Sequence, residues 1–420
     1  MSRHIVVVGG GFAGVAAAVA AREAGAQVTL WRGRGGASSF APGAFDDLPW
    51  DELEAASSLV GAELVAAPLP AGVRSLLEAL EYVQIVADGA PLARLSTTGG
   101  VVRTTRAHDR ALLDFTAIRG RTLLVPRADR ANWDADLLAR ALSESAHVTA
   151  VEVVDCPVLR YDEETRISDA ELAERHDDPA RIEWLCRGLC REVERRAAIS
   201  CAILLGPWLG RRVSQAAEIS RLVGAPVGET MSALAGTAGL RFESARERLL
   251  TREGVRVLPG EVASVRSSGR ALEIAGGAEV VTASAVVLAM GGLVGGGIVY
   301  DPPEHGAGAE GSDRLGPPFR LAIDVSGARV SATREHGLVG SIDGPVLDLS
   351  AWPVAGRAGL LERVGVHVAA SGEIVPGIFA AGDITFGGRR TALRALASGF
   401  AAGQAAAHSV HCVDSVHSRS

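Results

Sequence analysis

Three glycines near the N-terminus have the type and spacing to hold a phosphate group. Gly9, Gly11 and Gly14 follow an apolar run in the order Gly-x-Gly-x-x-Gly. The first glycine of such a turn permits a tight bend, the second lets a pyrophosphate approach the backbone, and the third lets the next helix pack on the strand. The phosphates then lie at the helix N-terminus, beside backbone N–H groups. The cofactor contacts predicted in this turn are Gly9, Gly11, Phe12, Ala13 and Gly14.

A second glycine motif lies near the other end of the chain. Residues 378–383 read Ile-Phe-Ala-Ala-Gly-Asp, a short apolar strand followed by Gly382 and Asp383. A carboxylate here can accept a hydrogen bond from a ribityl hydroxyl, or it can simply stabilise a helix N-terminus. Gly291 follows a third apolar strand, which returns the chain towards the cofactor. Each motif alone is weak because glycine is abundant, at 50 of 420 residues, but together they predict a flavoprotein of the dinucleotide-binding type.

The second strand of this unit lacks the acidic residue expected at its end. An Asp or Glu roughly 20 residues beyond the glycines normally binds the ribose 2′-hydroxyl. No acid occurs between Glu23 and Asp46, and the segment instead contains Arg32 and Arg34. Three interpretations stay open. The cofactor is NADP with its 2′-phosphate on one of these arginines, FAD held without the acidic contact, or the shorter flavin FMN.

A β-α-β unit is needed to bring these motifs together. The alanine-rich segment from Ala13 to Gly25 predicts a helix that ends at a glycine cap, and residues 27–31 predict a buried second strand. The fold class that follows is α/β, a Rossmann-like FAD/NAD(P)-binding domain with an inserted α/β cap domain. The predicted divisions are a discontinuous nucleotide-binding domain at 1–110 and 235–407, a cap at 111–234 and a flexible tail at 408–420.

Two further segments carry predictions about packing. Residues 162–196 are rich in both acids and arginines and predict mostly helical, exposed structure. Residues 254–258 and 260–265 predict paired strands, typical of the adenine side of a flavoprotein.

Composition limits the chemistry and the partners of the chain. The formal charge of −7 argues against a nucleic-acid surface. All 42 basic residues are arginine, so neither a lysine Schiff base nor a lysine general base is available, and basic chemistry must come from arginine or the ten histidines. The five cysteines have neither iron-sulfur spacing nor a disulfide pattern, so we expect no cluster, no metal site and a cytoplasmic location. No cleavable leader or bilayer-spanning segment is expected.

Beyond the glycine turn, several stretches resemble the smaller flavin-binding subunit of the anaerobic glycerol-3-phosphate dehydrogenase family. This family belongs to the broader group of flavoproteins related to succinate dehydrogenase and fumarate reductase. The resemblance extends to about residue 407 and rests on residues 34–48, 239–241, 258–262, 378–383 and 386–388. The missing acid of the second strand fits this family and favours a flavin over NADP.

The resemblance implies a heteromeric enzyme that oxidises glycerol 3-phosphate to dihydroxyacetone phosphate and passes electrons towards a quinone. It implies a larger catalytic subunit with FAD, an iron-sulfur subunit, and FAD or FMN in this chain. It also implies contact with the membrane only through a partner, at the inner face of the plasma membrane. The residues that it places against the flavin are Ser38, Ser39, Gly43 and Ala44, with Val262 at an adenine if the cofactor is FAD.

Oxidation of an alcohol by a flavin needs a base for the hydroxyl proton. The candidates are His305 and His336, the latter beside Glu335, which could tune the imidazole. Arg394, in the arginine-rich segment 389–394, could bind an anionic substrate, although these arginines could equally be helix-surface charges. Three hypotheses follow: a subunit of a dehydrogenase complex, a stand-alone dehydrogenase or oxidase of a small anion, and a non-catalytic assembly subunit.

Overall fold

A computed structural model gives the structure of residues 3–46, 66–145, 147–196, 198–233, 236–268, 271–300, 319–328, 330–332, 364–387 and 389–417. Within these residues the helices are α1 (Phe12–Glu23), α2 (Ala71–Ala79), α3 (Ala135–Glu144), α4 (Asp169–Arg175), α5 (Pro179–Glu194), α6 (Ala216–Val223), α7 (Thr237–Arg252) and α8 (Ala392–His417). Short 3-10 turns cover Ala37–Phe40, Asp162–Thr165 and Gly382–Ile384.

The strands of the same residues are β1 (His4–Val8), β2 (Gln27–Arg32), β3 (Ala44–Phe45), β4 (Val83–Ile85), β5 (Ala93–Ser96), β6 (Val102–Thr105), β7 (Ala107–Asp109), β8 (Thr122–Pro126), β9 (Ala150–Val154), β10 (Cys201–Leu205), β11 (Val227–Glu229), β12 (Arg256–Pro259), β13 (Ser264–Ser268), β14 (Ala271–Gly276), β15 (Glu279–Ala283), β16 (Ala285–Leu288), β17 (Ile298–Tyr300), β18 (Phe319–Leu321), β19 (Asp324–Val325), β20 (Val330–Ala332), β21 (Val364–Val366), β22 (Glu373–Val375) and β23 (Ile378–Ala380).

The main sheet has six strands in the order β12-β2-β1-β16-β23-β22. Its first five strands run parallel, and β22 adds an antiparallel edge. The central strands β1 and β16 are apolar and buried almost throughout, as a parallel sheet covered on both faces requires. The glycine turn connects β1 to α1, and β2 returns beside β1. The fold is therefore a Rossmann-type nucleotide-binding fold, and the predicted fold class is confirmed.

The last helix, α8, packs on α1 through two glycines, which have no side chains. A Cβ added at Gly399 would lie 2.1 Å from the carbonyl oxygen of Ala13, and one at Gly403 would lie 2.2 Å from that of Ala17. The two helix backbones are thus in direct contact, which only glycine permits at these positions. Helix α8 continues to His417, so residues 408–417 are helical where the sequence predicts a tail.

A second sheet lies within the predicted insert. It has four parallel strands in the order β11-β10-β8-β9. Its apolar side chains share one core with α3, α5 and α6, and the rings of Trp133 and Trp208 meet edge to face at 5.2 Å in this core. The insert therefore has an α/β core of its own, while its predicted limits at 111 and 234 stay predictions.

The charged segment 162–196 is mostly helical, and most of its charged side chains are exposed or half-buried as predicted, but Glu164, Arg181 and Glu192 are buried. Glu164 is fully buried and accepts hydrogen bonds from the backbone N–H of Arg160 at 2.6 Å and from the guanidinium of Arg181 at 2.8 Å. His176 is buried beside them. Glu164 and Arg181 point inward because their opposite charges pair and because Glu164 caps the turn at Asp162–Thr165, which composition alone cannot reveal.

Residues 256–259 and 264–268 are strands, but they do not pair with each other as predicted. β12 extends the main sheet beside β2, with Pro259 opposite Arg32. β13 belongs to a different sheet, in the order β15-β14-β13-β19. Gly260, at φ +105°, turns the chain from the first sheet towards the second.

A fully buried ion cluster joins the nucleotide-binding fold to the insert. Arg241 of α7 donates to Asp109 of β7 and to Glu229 of β11, both at 2.6 Å, and to the carbonyl oxygen of Gly210 at 2.7 Å. The side chains of Arg241, Asp109 and Glu229 have no exposed surface. One arginine thus ties α7 to β11, whose Glu229 lies 12 residues away in sequence, and to β7, whose Asp109 lies 132 residues away.

Candidate functional site

The glycine turn closes on itself so tightly that side chains are excluded. A Cβ added at Gly14 would lie 1.9 Å from the carbonyl oxygen of Gly9, and one at Gly9, where φ is +114°, would lie 2.2 Å from that of Ala289. Gly11 caps α1 without a side-chain hydrogen bond. The turn therefore has the bare backbone and the helix N-terminus that a nucleotide phosphate requires.

A loop of small residues covers the turn. The backbone N–H of Phe12 donates to Ser38 Oγ at 2.9 Å, and Ser39 Oγ donates to Glu243 Oε1 of α7 at 2.7 Å. A Cβ at Gly239 would lie 2.0 Å from the carbonyl oxygen of Ser39, so α7 touches this loop directly. The loop is held by the first turn of α1 and by α7, and both serines face the cavity.

One cavity of about 950 Å³ runs along the carboxyl ends of the main-sheet strands. Its volume lies at the upper end of the usual range for ligand pockets, roughly 300–1,000 Å³. Most of the residues predicted from sequence to contact a cofactor line it. They are Gly9, Gly11, Phe12, Ala13, Arg32, Ser38, Ser39, Ala44, Val262, Gly291, Gly382 and Asp383.

Two predicted cofactor residues support the cavity without lining it. Gly14 lies beneath the turn, as its contact with Gly9 requires. Gly43, at φ +98°, packs against the side chains of Leu112 and Ala238. The roles of the individual residues towards a ligand stay predictions.

Arg32, the last residue of β2, and Arg34 are both paired with carboxylates. Arg32 forms an ion pair with Glu247 of α7, and the stem of its side chain lies over Gly10. Arg34 pairs with Glu261 at 3.2 Å. Glu247 also pairs with Arg246 at 3.0 Å. Because each arginine already has an acidic partner, the pair offers little net positive charge to the 2′-phosphate of NADP.

Asp46 and Arg103 form an ion pair in the cavity wall. Asp46 directly follows β3, and its carboxylate accepts a hydrogen bond from the guanidinium of Arg103 in β6. The two side chains are only 13% and 11% exposed. Burial raises the pKa of Asp46 to about 6, while the charge of Arg103 opposes the rise. The carboxylate is thus a titratable group near neutral pH, inside the cavity.

Asp383 and the segment after it form the adjoining part of the wall. Gly382 donates its N–H to Ser398 Oγ of α8 at 2.9 Å, which fixes the turn that carries Asp383. Burial raises the pKa of Asp383, while Arg390 and Arg394 oppose the rise. Arg390 lines the cavity and donates to the carbonyl oxygen of Val364 at 2.7 Å.

Of the three predicted catalytic residues, Arg394 alone falls within the described part of the chain. Arg394 is half-buried on α8 but does not line the cavity, so Arg390 is the arginine of this segment that a ligand can reach. His305 and His336 lie outside the described residues.

Sequence reasoning missed two features of the site. The first is the face of α7 formed by Glu243, Arg246 and Glu247, whose spacing of three and four residues places them on one side of a helix. The second is the pair of Asp46 and Arg103. The sequence does carry one signal for this pair. Asp46 is an acidic residue that directly follows the apolar residues Ala44 and Phe45, at the end of the small-residue loop.

Within the described part of the chain, no three or more His, Cys, Asp or Glu side chains are grouped so that they could hold a metal ion. None of the helices described is both long and apolar enough to cross a membrane.

No protein-family model and no curated protein matches the chain. Several solved structures are similar at low identity. T. acidophilum thioredoxin reductase has 13% identity and a TM-score of 0.21 over 99% of this chain and 100% of that one. CabE, an aromatic hydroxylase from angucycline biosynthesis, has 13% identity and a TM-score of 0.34 over 98% of this chain and 63% of that one. OxyS anhydrotetracycline hydroxylase from Streptomyces rimosus has 10% identity and a TM-score of 0.32 over 98% and 63%. These likenesses are too distant to carry an argument, and the fold rests on the sheet topology.

Proposed function

We propose that this chain is a flavin-dependent oxidoreductase that oxidises a small anionic hydroxy compound. The observation that carries the proposal is that one cavity joins the glycine turn to the buried pair of Asp46 and Arg103. A flavin bound there would supply the acceptor for two electrons from the substrate. The N–H groups at the start of α1 would hold the phosphates of the flavin, and Asp383 would accept a hydrogen bond from a ribityl hydroxyl.

FAD is the flavin that the cavity fits better. Besides the turn and Asp383, the wall includes Glu261 and Val262, which follow β12 at the far side of β2. FMN has no adenosine half to occupy that end. Val262 would then contact the adenine.

The chain's own residues would orient the substrate and take its proton. Arg103 and Arg390 place guanidinium groups in the cavity wall, and guanidinium groups bind phosphate or carboxylate in a bidentate fork. The carboxylate of Asp46, ionised at neutral pH, would accept the hydroxyl proton. This assigns to Asp46 the role that the sequence offered to His305 and His336.

Glycerol 3-phosphate is the substrate that we propose to test first. It is an anionic hydroxy compound, and the resemblance of residues 34–48 and 258–262 to the dehydrogenase family supports it. By the same resemblance we propose a larger FAD-containing partner and an iron-sulfur partner, electron transfer towards quinone, and a cytoplasmic chain that a partner holds at the inner face of the plasma membrane.

The two alternative hypotheses differ from this proposal in what the chain does alone. A stand-alone dehydrogenase or oxidase would turn over without partners, and the cavity pair of Asp46 and Arg103 favours a substrate site within this chain. A non-catalytic assembly subunit would need neither a flavin nor this pair.

The deciding experiment is to purify the chain, release any chromophore with acid and identify it by chromatography and mass spectrometry. We expect FAD. FMN would favour an accessory electron-transfer role. A protein that binds no flavin, even after reconstitution, would leave only the assembly role.

Replacing Arg103 by lysine should weaken substrate binding about tenfold. Lysine keeps the positive charge beside Asp46 but loses the planar fork, at a cost of roughly one charge-assisted hydrogen bond. The measurement is KM for glycerol 3-phosphate with an artificial electron acceptor. Arg94→Lys, on the paired strand β5 but outside this cavity, is the control and should leave KM unchanged. Equal KM values for the two variants would contradict a substrate contact at Arg103.

The value of kcat/KM should fall about tenfold for each pH unit below pH 6. The pKa of Asp46 is raised to about 6, so its carboxylate gains a proton, and stops acting as a base, as the pH falls through that value. The check is a pH profile of the wild type and of Asp46→Asn. The variant should be slow and lack this limb, whereas an unchanged limb would assign it to another group.

A further inference from the structure

The end of β2 has no acid, but the neighbouring strand brings one to the same edge of the sheet. β12 lies parallel to β2, with Pro259 opposite Arg32. The N–H of Gly260 donates to the carbonyl oxygen of Arg32 at 3.0 Å. The segment that follows, with Glu261, therefore emerges beside the residue where a Rossmann-type fold normally places its ribose-binding carboxylate.

Glu261 is positioned over the backbone that follows β2. A Cβ added at Gly33 would lie 3.3 Å from its Cγ atom, so the side chain crosses that glycine closely. Glu261, Arg32 and Gly33 all line the cavity. Arg34, which is almost fully exposed, orients the carboxylate from the solvent side at 3.2 Å.

Glu247, another carboxylate near this edge, has different partners. Glu247 pairs with both Arg32 and Arg246 and does not line the cavity. Glu261 is two-thirds exposed, and an exposed carboxylate has acceptor positions left for a diol after one contact with a guanidinium.

From this geometry we infer that Glu261, just after β12, supplies the carboxylate that accepts hydrogen bonds from the ribose hydroxyls in the adenosine half of FAD. The inference rests on the proposed flavin function and specifies its ligand as the dinucleotide. It also accounts for the absence of an acid between Glu23 and Asp46, because the role has passed to the adjacent strand.

The test is to measure the affinity of the full-length apoprotein for FAD and for FMN by quenching of flavin fluorescence. Glu261→Ala should raise the Kd for FAD about tenfold or more, which is the effect of one hydrogen bond to a charged group, and should leave the Kd for FMN unchanged. Glu279→Ala, at an exposed position on β15, is the matched control and should change neither. Arg34→Ala should weaken FAD binding less than Glu261→Ala does, because the arginine orients the carboxylate but does not contact the ribose.

The outcomes separate the inference from the function on which it rests. If Glu261→Ala affects both flavins equally or neither, or if the wild type binds FMN as tightly as FAD, the inference is overturned and the flavin function stands. A loss of FAD affinity in Arg34→Ala as large as in Glu261→Ala would assign the contact to the arginine instead. If the wild type binds neither flavin, the proposed function and the inference are overturned together.

Discussion

Replacement of Arg241 by methionine should lower the free energy of unfolding by about 3–5 kcal/mol. The side chain has no exposed surface and neutralises two carboxylates that are equally buried, Asp109 and Glu229. Methionine fills similar space but leaves both acids without a cation. The measurement is urea-induced unfolding followed by circular dichroism at pH 7.

The control for this variant lies on the same helix. Arg252 is about half-exposed and pairs with Glu81 at 2.8 Å on the surface, so Arg252→Met should cost no more than about 1 kcal/mol. Equal losses in the two variants would show that the buried cluster does not stabilise the junction between the main fold and the insert.

The loss in Arg241→Met should also depend on pH. In the wild type, burial raises the pKa of Glu229 to about 7, opposed by Arg241. Without the arginine the pKa of Glu229 rises further above its value in the unfolded chain. A carboxyl with a raised folded pKa binds its proton more tightly when folded, so stability falls as the pH rises above the unfolded value. The variant should therefore be closer to the wild type at pH 5.5 than at pH 8.

The features that sequence predicts well are those whose physical cause is local. The turn at Gly9, Gly11 and Gly14 is determined by steric limits within a few residues, and α1 follows from its alanine content. The central strands β1 and β16 are recognisable because each is a continuous apolar run. These elements suffice for the fold class and for most of the residues that line the cavity.

The features that sequence misses depend on partners far along the chain. Arg32 suits a phosphate when it is considered alone, but its acidic partner Glu247 lies 215 residues away on α7. The partner of Asp46 is 57 residues away on β6. Nothing in the local pattern distinguishes such inward-facing charges from solvated ones, since the folded topology decides which residues meet. The sequence therefore suggests only histidines as candidate bases, although the cavity contains the buried carboxylate of Asp46.

Replacement of Gly11 by valine should weaken flavin binding strongly without unfolding the protein. Gly11 has ordinary backbone angles, φ −79° and ψ −171°, which valine can adopt. The atom nearest to an added Cβ is Ser38 Oγ at 2.9 Å, at the end of a side chain that can rotate away. The valine methyl groups would then occupy the cavity wall at the N-terminus of α1, where the pyrophosphate must approach. We expect the Kd for FAD to rise about 100-fold or more, from a steric cost of roughly 3 kcal/mol.

Gly99→Val separates this steric effect from a general response to valine. Gly99 lies in an exposed turn, and only Thr97 Oγ1, at 3.9 Å, would be near an added Cβ. This variant should retain wild-type flavin content, and the apoproteins of both variants should unfold at the same urea concentration as the wild type. Gly11→Val with unchanged flavin affinity would place the phosphates elsewhere than at α1. Since the first N–H of α1 already donates to Ser38 Oγ, such a result would mean that the serine hydroxyl, rather than a ligand, is what the N-terminus of this helix holds.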